Sequence, residues 1–159
     1  MKKYMLVLFS YGDLKKINKH IKKMIKENDK LFVRALLFEE VPKLSEHLIS
    51  DEGVLGKKVV RDLENSVVDI YHDNAKKYLE ELSEIAAQKK FQLDTKLVDN
   101  HEVDRLKKEI KAAELDRIFI NFSHNEYIVD QVKEEEIKSW LKKNKLPQDI
   151  FYDGKLKNK

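Results

Sequence analysis

At 159 residues the chain has the length of one domain, enough to bury about two thirds of the surface it exposes when unfolded. Hydrophobic residues make up 42% and charged residues 38%, which is a globular composition, and the lack of cysteine excludes disulfides, thiol nucleophiles and thiolate metal sites. A net charge of +3 is a mild balance that does not by itself imply nucleic acid, and no apolar run reaches the roughly 20 residues that span a bilayer.

The basic residues are nearly all lysine, with arginine only at Arg34, Arg61, Arg105 and Arg117. This Lys/Glu richness resembles the charged surface of thermophile proteins, although an AT-biased genome produces the same excess. The opening MKKYMLVLFSYGD has the basic start of a signal peptide. Its apolar run is short and ends in Gly12-Asp13 without a cleavage-like site, so it reads as a first strand and the protein is expected in the cytoplasm.

Tyr4 to Phe9 is a continuous apolar run of strand length, as expected for a strand buried on both faces. Ser10 to Asp13 forms a turn, with Asp13 placed to cap a helix from Leu14 to about Glu27. Leu14, Ile17, Ile21, Met24 and Ile25 are that helix's apolar stripe, and Lys15, Lys19, Lys22 and Lys26 its opposite face. Leu31 to Phe38 is a second strand, stopped by Pro42. Glu39 to Gly56 is irregular, with room for a short helix over Lys43 to Ile49.

From Lys57 to Lys90 apolar residues recur at spacings of three and four, from Val60 through Tyr71 and Tyr78 to Ile85. A helix of that length extends about 50 Å at 1.5 Å per residue, far beyond a typical strand. Either it breaks near Asp73-Asn74 or part of it overhangs the sheet, and the overhang is read as an oligomer contact. Phe91 to Val98 alternates apolar and polar residues like an edge strand. Asp99 and Glu102 offer a capping box for a helix reaching about Leu115, with Val103, Leu106, Ile110 and Ala113 as its core face. Arg117 to Phe122 is strand four, a last helix uses Ile137, Trp140 and Leu141, and Ile150 to Tyr152 is a short fifth strand.

Strands joined by helices imply a parallel sheet with helices on both faces. One domain over residues 1–153 is expected, with a loose tail from Gly154 to Lys159. Such sheets bind ligands at the carboxyl ends of their strands, at the topological switch point. Two loops qualify, Ser10 to Asp13 and Ser123 to Asn125, so the candidate ligand-binding residues are Ser10, Gly12, Asp13, Ser123, His124 and Asn125.

This layout resembles the universal stress protein family along nearly the whole chain: a first strand at the N-terminus, a long insertion after strand two, and a helix leading into a strand that ends in Ser123-His124. The resemblance implies a Rossmann-like three-layer α/β/α fold with five parallel strands in the order 3-2-1-4-5. It also implies a homodimer in which the fifth strand pairs across the axis, here Ile150, Phe151 and Tyr152. Members of the family that bind ATP carry G-x2-G-x9-G-[S/T] from this turn into the next helix. Its glycines admit backbone amides to the phosphates, and the helix N-terminus favours negative charge. Here the glycine positions fall on Phe122, Asn125 and Glu135, and the hydroxyl position on Glu136. The carboxylates would repel phosphate by about 1 kcal/mol per pair even in bulk water. An Asp that such members place at the end of strand one has its counterpart in Ser10, with Asp13 three positions later. The resemblance therefore implies the branch that does not bind ATP.

Other arrangements have plainer readings. Ser123 and His124, with Ser10 and Asp13 across the cleft, can be drawn as a triad, but no G-x-S-x-G elbow is present and no catalytic residue is assigned. The five histidines are scattered without two-ligand helical spacing, so no metal is expected. The lysine face of the first helix lacks aromatics for base stacking and reads as a solvated surface. Glu134-Glu135-Glu136 reads as the acidic first turn of the last helix. The resulting expectation is a non-enzymatic protein of the stress response, without a cofactor, that acts through protein contacts. A nucleotide-binding protein with an altered ATP site is the alternative, and a nucleic-acid module using the first helix is the third reading.

Overall fold

The apolar runs become a central sheet, and the periodic segments become helices on its two faces. The computed structural model describes residues 1–11, 14–37, 57–99, 103–123 and 134–156. The elements are β1 (Lys3–Leu8), α1 (Lys15–Met24), β2 (Lys30–Leu37), α2 (Lys57–Lys89), β3 (Gln92–Asp99), α3 (Val103–Ala113), β4 (Arg117–Phe122), α4 (Glu134–Lys143), β5 (Gln148–Tyr152) and β6 (Lys155–Leu156). The short helix expected over Lys43 to Ile49, and Phe38 at the end of the second strand, lie outside the described residues.

The strand order is β3-β2-β1-β4-β5-β6. The first five strands run parallel in the expected order 3-2-1-4-5, with β1 central between β2 and β4. Side chains alternate between faces as the strand period requires. Leu6, Leu8, Leu31, Val33, Ala35, Phe119 and Phe151 pack with α1 and α2. Met5, Val7, Phe9, Leu36, Ile118, Ile120 and Phe122 pack with α3 and α4. Burial on both faces explains why β1 and β4 read as nearly continuous apolar runs.

The tail does not behave as expected. Lys155 and Leu156 form β6, which pairs antiparallel with β5 at Tyr152↔Lys155 and Phe151↔Leu156. The connecting residues Asp153 and Gly154 have φ of 47° and 86°. Two consecutive positive values are what a two-residue type I′ hairpin turn needs, and Asp-Gly is a favoured pair for it. The sheet is therefore six-stranded and mixed, not five-stranded and parallel throughout.

Within its bounds α2 is one uninterrupted helix of 33 residues, with no break at Asp73-Asn74. Ala75, Tyr78, Leu82, Ile85 and Ala86 are buried against the sheet, whereas Ile70 is 60% exposed. On α1, His20 stands edge-on to Phe119 and Phe151, with ring centroids 5.4 Å away in each case. Its Nε2 lies 3.0 Å from the Asp149 carboxylate, which also accepts from Arg117 at 2.9 Å. These contacts hold β5 against α1.

Arg34 is the one basic side chain among the described residues that is fully buried, at 1% exposure. It points to the α3 face, where its guanidinium bonds Glu109 of α3 (Nε to Oε1 2.6 Å) and the carbonyls of Val33 and Asp94, each at 3.0 Å. A buried guanidinium costs several kcal/mol unless so satisfied, about the scale at which its loss of a partner is felt. Here it ties α3 to β2 and β3.

Candidate functional site

The expected ligand site lies at the carboxyl ends of β1 and β4, where the described groups bond to one another. Asn121, next to last in β4, is 0% exposed. Its Nδ2 donates to the Ser10 carbonyl at 3.1 Å and to Ser10 Oγ at 2.9 Å. Its Oδ1 accepts from the Gly154 amide at 2.9 Å. The backbone adds Phe9 N to Asn121 O at 2.9 Å and Asp153 N to Phe122 O at 2.8 Å. One carboxamide thereby joins the end of β1, the end of β4 and the β5–β6 turn, with both donors and its acceptor used.

Two tyrosines close the neighbouring stretch of the edge. The Tyr11 hydroxyl lies 2.9 Å from the Leu36 carbonyl of β2 and 3.2 Å from that of Leu8, and donates its proton between them. The Tyr71 hydroxyl, from α2, donates to the Phe9 carbonyl. The two rings meet edge to face, 5.0 Å apart at 77°. Burial pushes both phenols well above their ordinary range, and for Tyr11 the neighbouring Tyr71 adds to it. Both are therefore neutral donors at physiological pH. Strand-end carbonyls that would face a ligand in an open crevice are here satisfied from within.

On the opposite face Phe9 and Phe122 stack at 5.4 Å and 10°. Lys138 of α4 lies over the rings of Phe122 and Tyr152, at 5.7 and 5.0 Å, and donates to the Tyr152 hydroxyl. Burial works to lower the Lys138 pKa, but the Tyr152 hydroxyl and the Glu134 carboxylate outweigh it and the amine is held above its usual value. Its ammonium is therefore held charged at physiological pH. Glu134 pairs with it at 3.4 Å, and Glu136 reaches Lys107 of α3 at 2.9 Å. Glu134, Glu135 and Glu136 form the first turn of α4, the plain reading of that run.

Of the expected site residues, the structure brings Ser10 and Ser123 to the carboxyl edge, both buried at 6% exposure. Gly12, Asp13, His124 and Asn125 lie outside the described residues. On β5, Phe151 is 1% exposed and belongs to the core, while Ile150 and Tyr152 are half-buried. The outer edge of Phe151 and Tyr152 is taken by β6, so the exposed apolar edge that would invite a partner strand there is already covered by the chain itself. Among the described residues no group of three acidic or histidine side chains is gathered to hold a metal ion. None of their helices is long and apolar enough to cross a membrane.

Sequence reasoning missed Asn121 and the hydroxyls of Tyr11 and Tyr71. A signal for Asn121 was present: it is the single polar residue inside the otherwise apolar run Ile118 to Phe122, and a buried amide needs partners.

No family model matches the chain, and no curated protein does. Among solved structures, that of the hypothetical protein MJ0577, the subject of a structure-based assignment of biochemical function, is similar over 100% of this chain and 99% of its own. The TM-score is 0.55 and the identity 18%. The crystal structure of the hypothetical protein PH0823 is similar over 99% of both chains, with a TM-score of 0.50 and 15% identity. These likenesses concern the fold, which is α/β and Rossmann-like.

Proposed function

We propose that the protein is a divergent universal stress protein-like domain that holds no ATP at its carboxyl edge and works without catalysis, as a homodimer, through contacts with other proteins in a stress response. The observation that carries the reading is the Asn121 bridge. A phosphate or ribose entering between β1 and β4 would have to displace the bonds to Ser10 and Gly154. Each buried group so released costs about 1–3 kcal/mol, a large fraction of the roughly 4 kcal/mol that a millimolar ligand gains. The replacement of the family's phosphate-loop glycines by Phe122, Asn125 and Glu135 argues the same way.

Thermal melting tests this reading. ATP or AMP in millimolar amounts leaves the midpoint unchanged, whereas a ligand at one hundred times its Kd would add about 2.7 kcal/mol of stability. A clear upward shift overturns it. Sedimentation tests the dimer. Among the described residues β6 covers only Phe151 and Tyr152, so the outer sides of Gln148 to Ile150 and of β6 are the edges that a second copy would pair with.

A further inference from the structure

Among the described residues the sheet leaves one long edge open. β3 stands at the opposite end of the strand order from β6 and pairs on one side only, with β2. It has eight residues, against five in β5, of which β6 already covers Phe151 and Tyr152. The Gln92 amide donates towards β2, to the Asp29 carbonyl at 2.8 Å. Backbone groups alternate sides along a strand, so those of Leu93, Thr95 and Leu97 point away from the sheet. Leu97 is also an exposed leucine, at 43%. An edge of this kind is a template for another strand.

We propose that this edge pairs antiparallel with the same edge of a second copy of the chain, about a twofold axis at Thr95. A contact of that symmetry must be self-complementary, and the order of residues in β3 is. With Thr95 facing its own copy, Leu93 faces Leu97 and Asp94 faces Lys96, each twice by symmetry. The outward backbone groups of Leu93, Thr95 and Leu97 then meet in hydrogen-bonded pairs. Asp94 and Lys96 fall in the pairs between them, where Cα atoms are about 4.5 Å apart and side chains are closest. Opposite charges so placed stabilise a strand pair, and like charges destabilise it. Lys96 is exposed and forms no ion pair with a described residue. The Asp94 side chain is 38% exposed, with one oxygen 3.5 Å from the Arg34 guanidinium. A slide by two residues, the smallest that keeps the outward groups paired, sets either Asp94 or Lys96 against its own copy. The strand thus favours one register of itself and disfavours the neighbouring ones, which is why the occupant is a second copy. The proposal rests on the homodimer of the proposed function and gives it a contact at the other end of the sheet from β5 and β6.

The chain has no cysteine, so one introduced thiol reports the register. Thr95→Cys sets two thiols on Cα atoms about 5.5 Å apart, within disulfide range. Leu97→Cys holds them four residues apart along the strands, about 13 Å, which is out of reach. Under diamide the first is expected to form a covalent dimer and the second to remain uncrosslinked. In sedimentation the native chain is expected to dimerise with a Kd of about 1–100 µM, and Lys96→Glu to weaken this about tenfold. Thr95→Pro removes an amide that points outward, so it is expected to abolish the dimer while the circular dichroism is kept. Should that variant fail to fold, the two cysteine variants and Lys96→Glu decide. A native dimer that Lys96→Glu does not weaken, or one in which Thr95→Cys fails to cross-link or Leu97→Cys cross-links equally well, overturns the β3 contact and leaves the homodimer at the β5–β6 end standing. A native chain that is monomeric at about 0.5 mM overturns both.

Discussion

The carboxamide of Asn121 donates to both the carbonyl and the hydroxyl of Ser10, at 3.1 and 2.9 Å, and so joins the ends of the two central strands where a ligand crevice would open. Replacing Asn121 with alanine strands the Ser10 groups and the Gly154 amide in a buried site. The expected cost is about 3 kcal/mol in urea unfolding, the scale of buried groups left unpaired. Asn121→Asp tests the donor role. A carboxylate facing the Ser10 carbonyl is driven to hold its proton, so its folded-state pKa rises above the unfolded value. Relative to wild type, this variant should lose further stability as pH rises from about 4 towards neutral.

The Arg34–Glu109 pair is predicted to be coupled. Glu109→Ala removes the carboxylate from a guanidinium with 1% exposure and is expected to cost about 2–3 kcal/mol. Adding Arg34→Met to that variant should cost less than the sum of the single changes, by about 1–2 kcal/mol in a double-mutant cycle. Strict additivity would show that Glu109 contributes nothing to holding α3 on the sheet.

Asp29 predicts an acid limb of stability. Burial works to raise its pKa, but bonds from the Lys2 and Lys26 amides, at 3.0 and 2.9 Å, and the charges of the N-terminus and Lys2 outweigh it and hold it below the ordinary carboxylate range. A depressed folded-state pKa means stability that is present above the unfolded value and lost as pH falls through the folded one. The difference in melting temperature between wild type and Asp29→Asn should therefore be constant above about pH 5 and shrink below about pH 4. A difference that is flat across that window contradicts the assignment.

The hairpin that closes the sheet depends on Gly154 at φ 86°. Gly154→Ala places a Cβ in the left-handed region and is expected to cost about 1 kcal/mol. A chain ending at Asp153 loses β6 and bares the outer edge of Phe151 and Tyr152. It is predicted to self-associate more strongly than the full chain in sedimentation, because an unpaired edge is a template for another strand.

The strands were legible because burial on both faces leaves a nearly continuous apolar run, as in Tyr4 to Phe9 and Ile118 to Phe122, whereas their order followed from the family resemblance. Helix ends were less so, since glycine does not mark them. Residues Lys90, Glu114 and Lys145, just beyond α2, α3 and α4, take φ of 60°, 51° and 54°, a conformation that glycine adopts more easily. The first helix was read to about Glu27 but stops at Met24, where Ile25 turns extended and Asp29 captures the Lys26 amide.

The contacts at the carboxyl edge were only partly legible in the sequence. The mismatch with the phosphate motif at Phe122, Asn125, Glu135 and Glu136 could be read by counting along the chain. The bonds at the carboxyl edge could not, because Asn121 and Ser10 are 111 residues apart and Tyr71 and Phe9 are 62 apart. Only the topology brings them together. The sixth strand was a different failure, since Asp153-Gly154 is a recognised hairpin signal and was passed over as a loose end.

The most direct measurement is titration of the isotopically labelled protein with ATP up to about 5 mM, following the amides of Ser10, Asn121 and Gly154, a range in which even a millimolar binder would be seen. A filled carboxyl edge predicts that these amides do not move. Saturable shifts at Ser10 and Asn121 would mean that the bridge opens for a nucleotide, and would contradict the account.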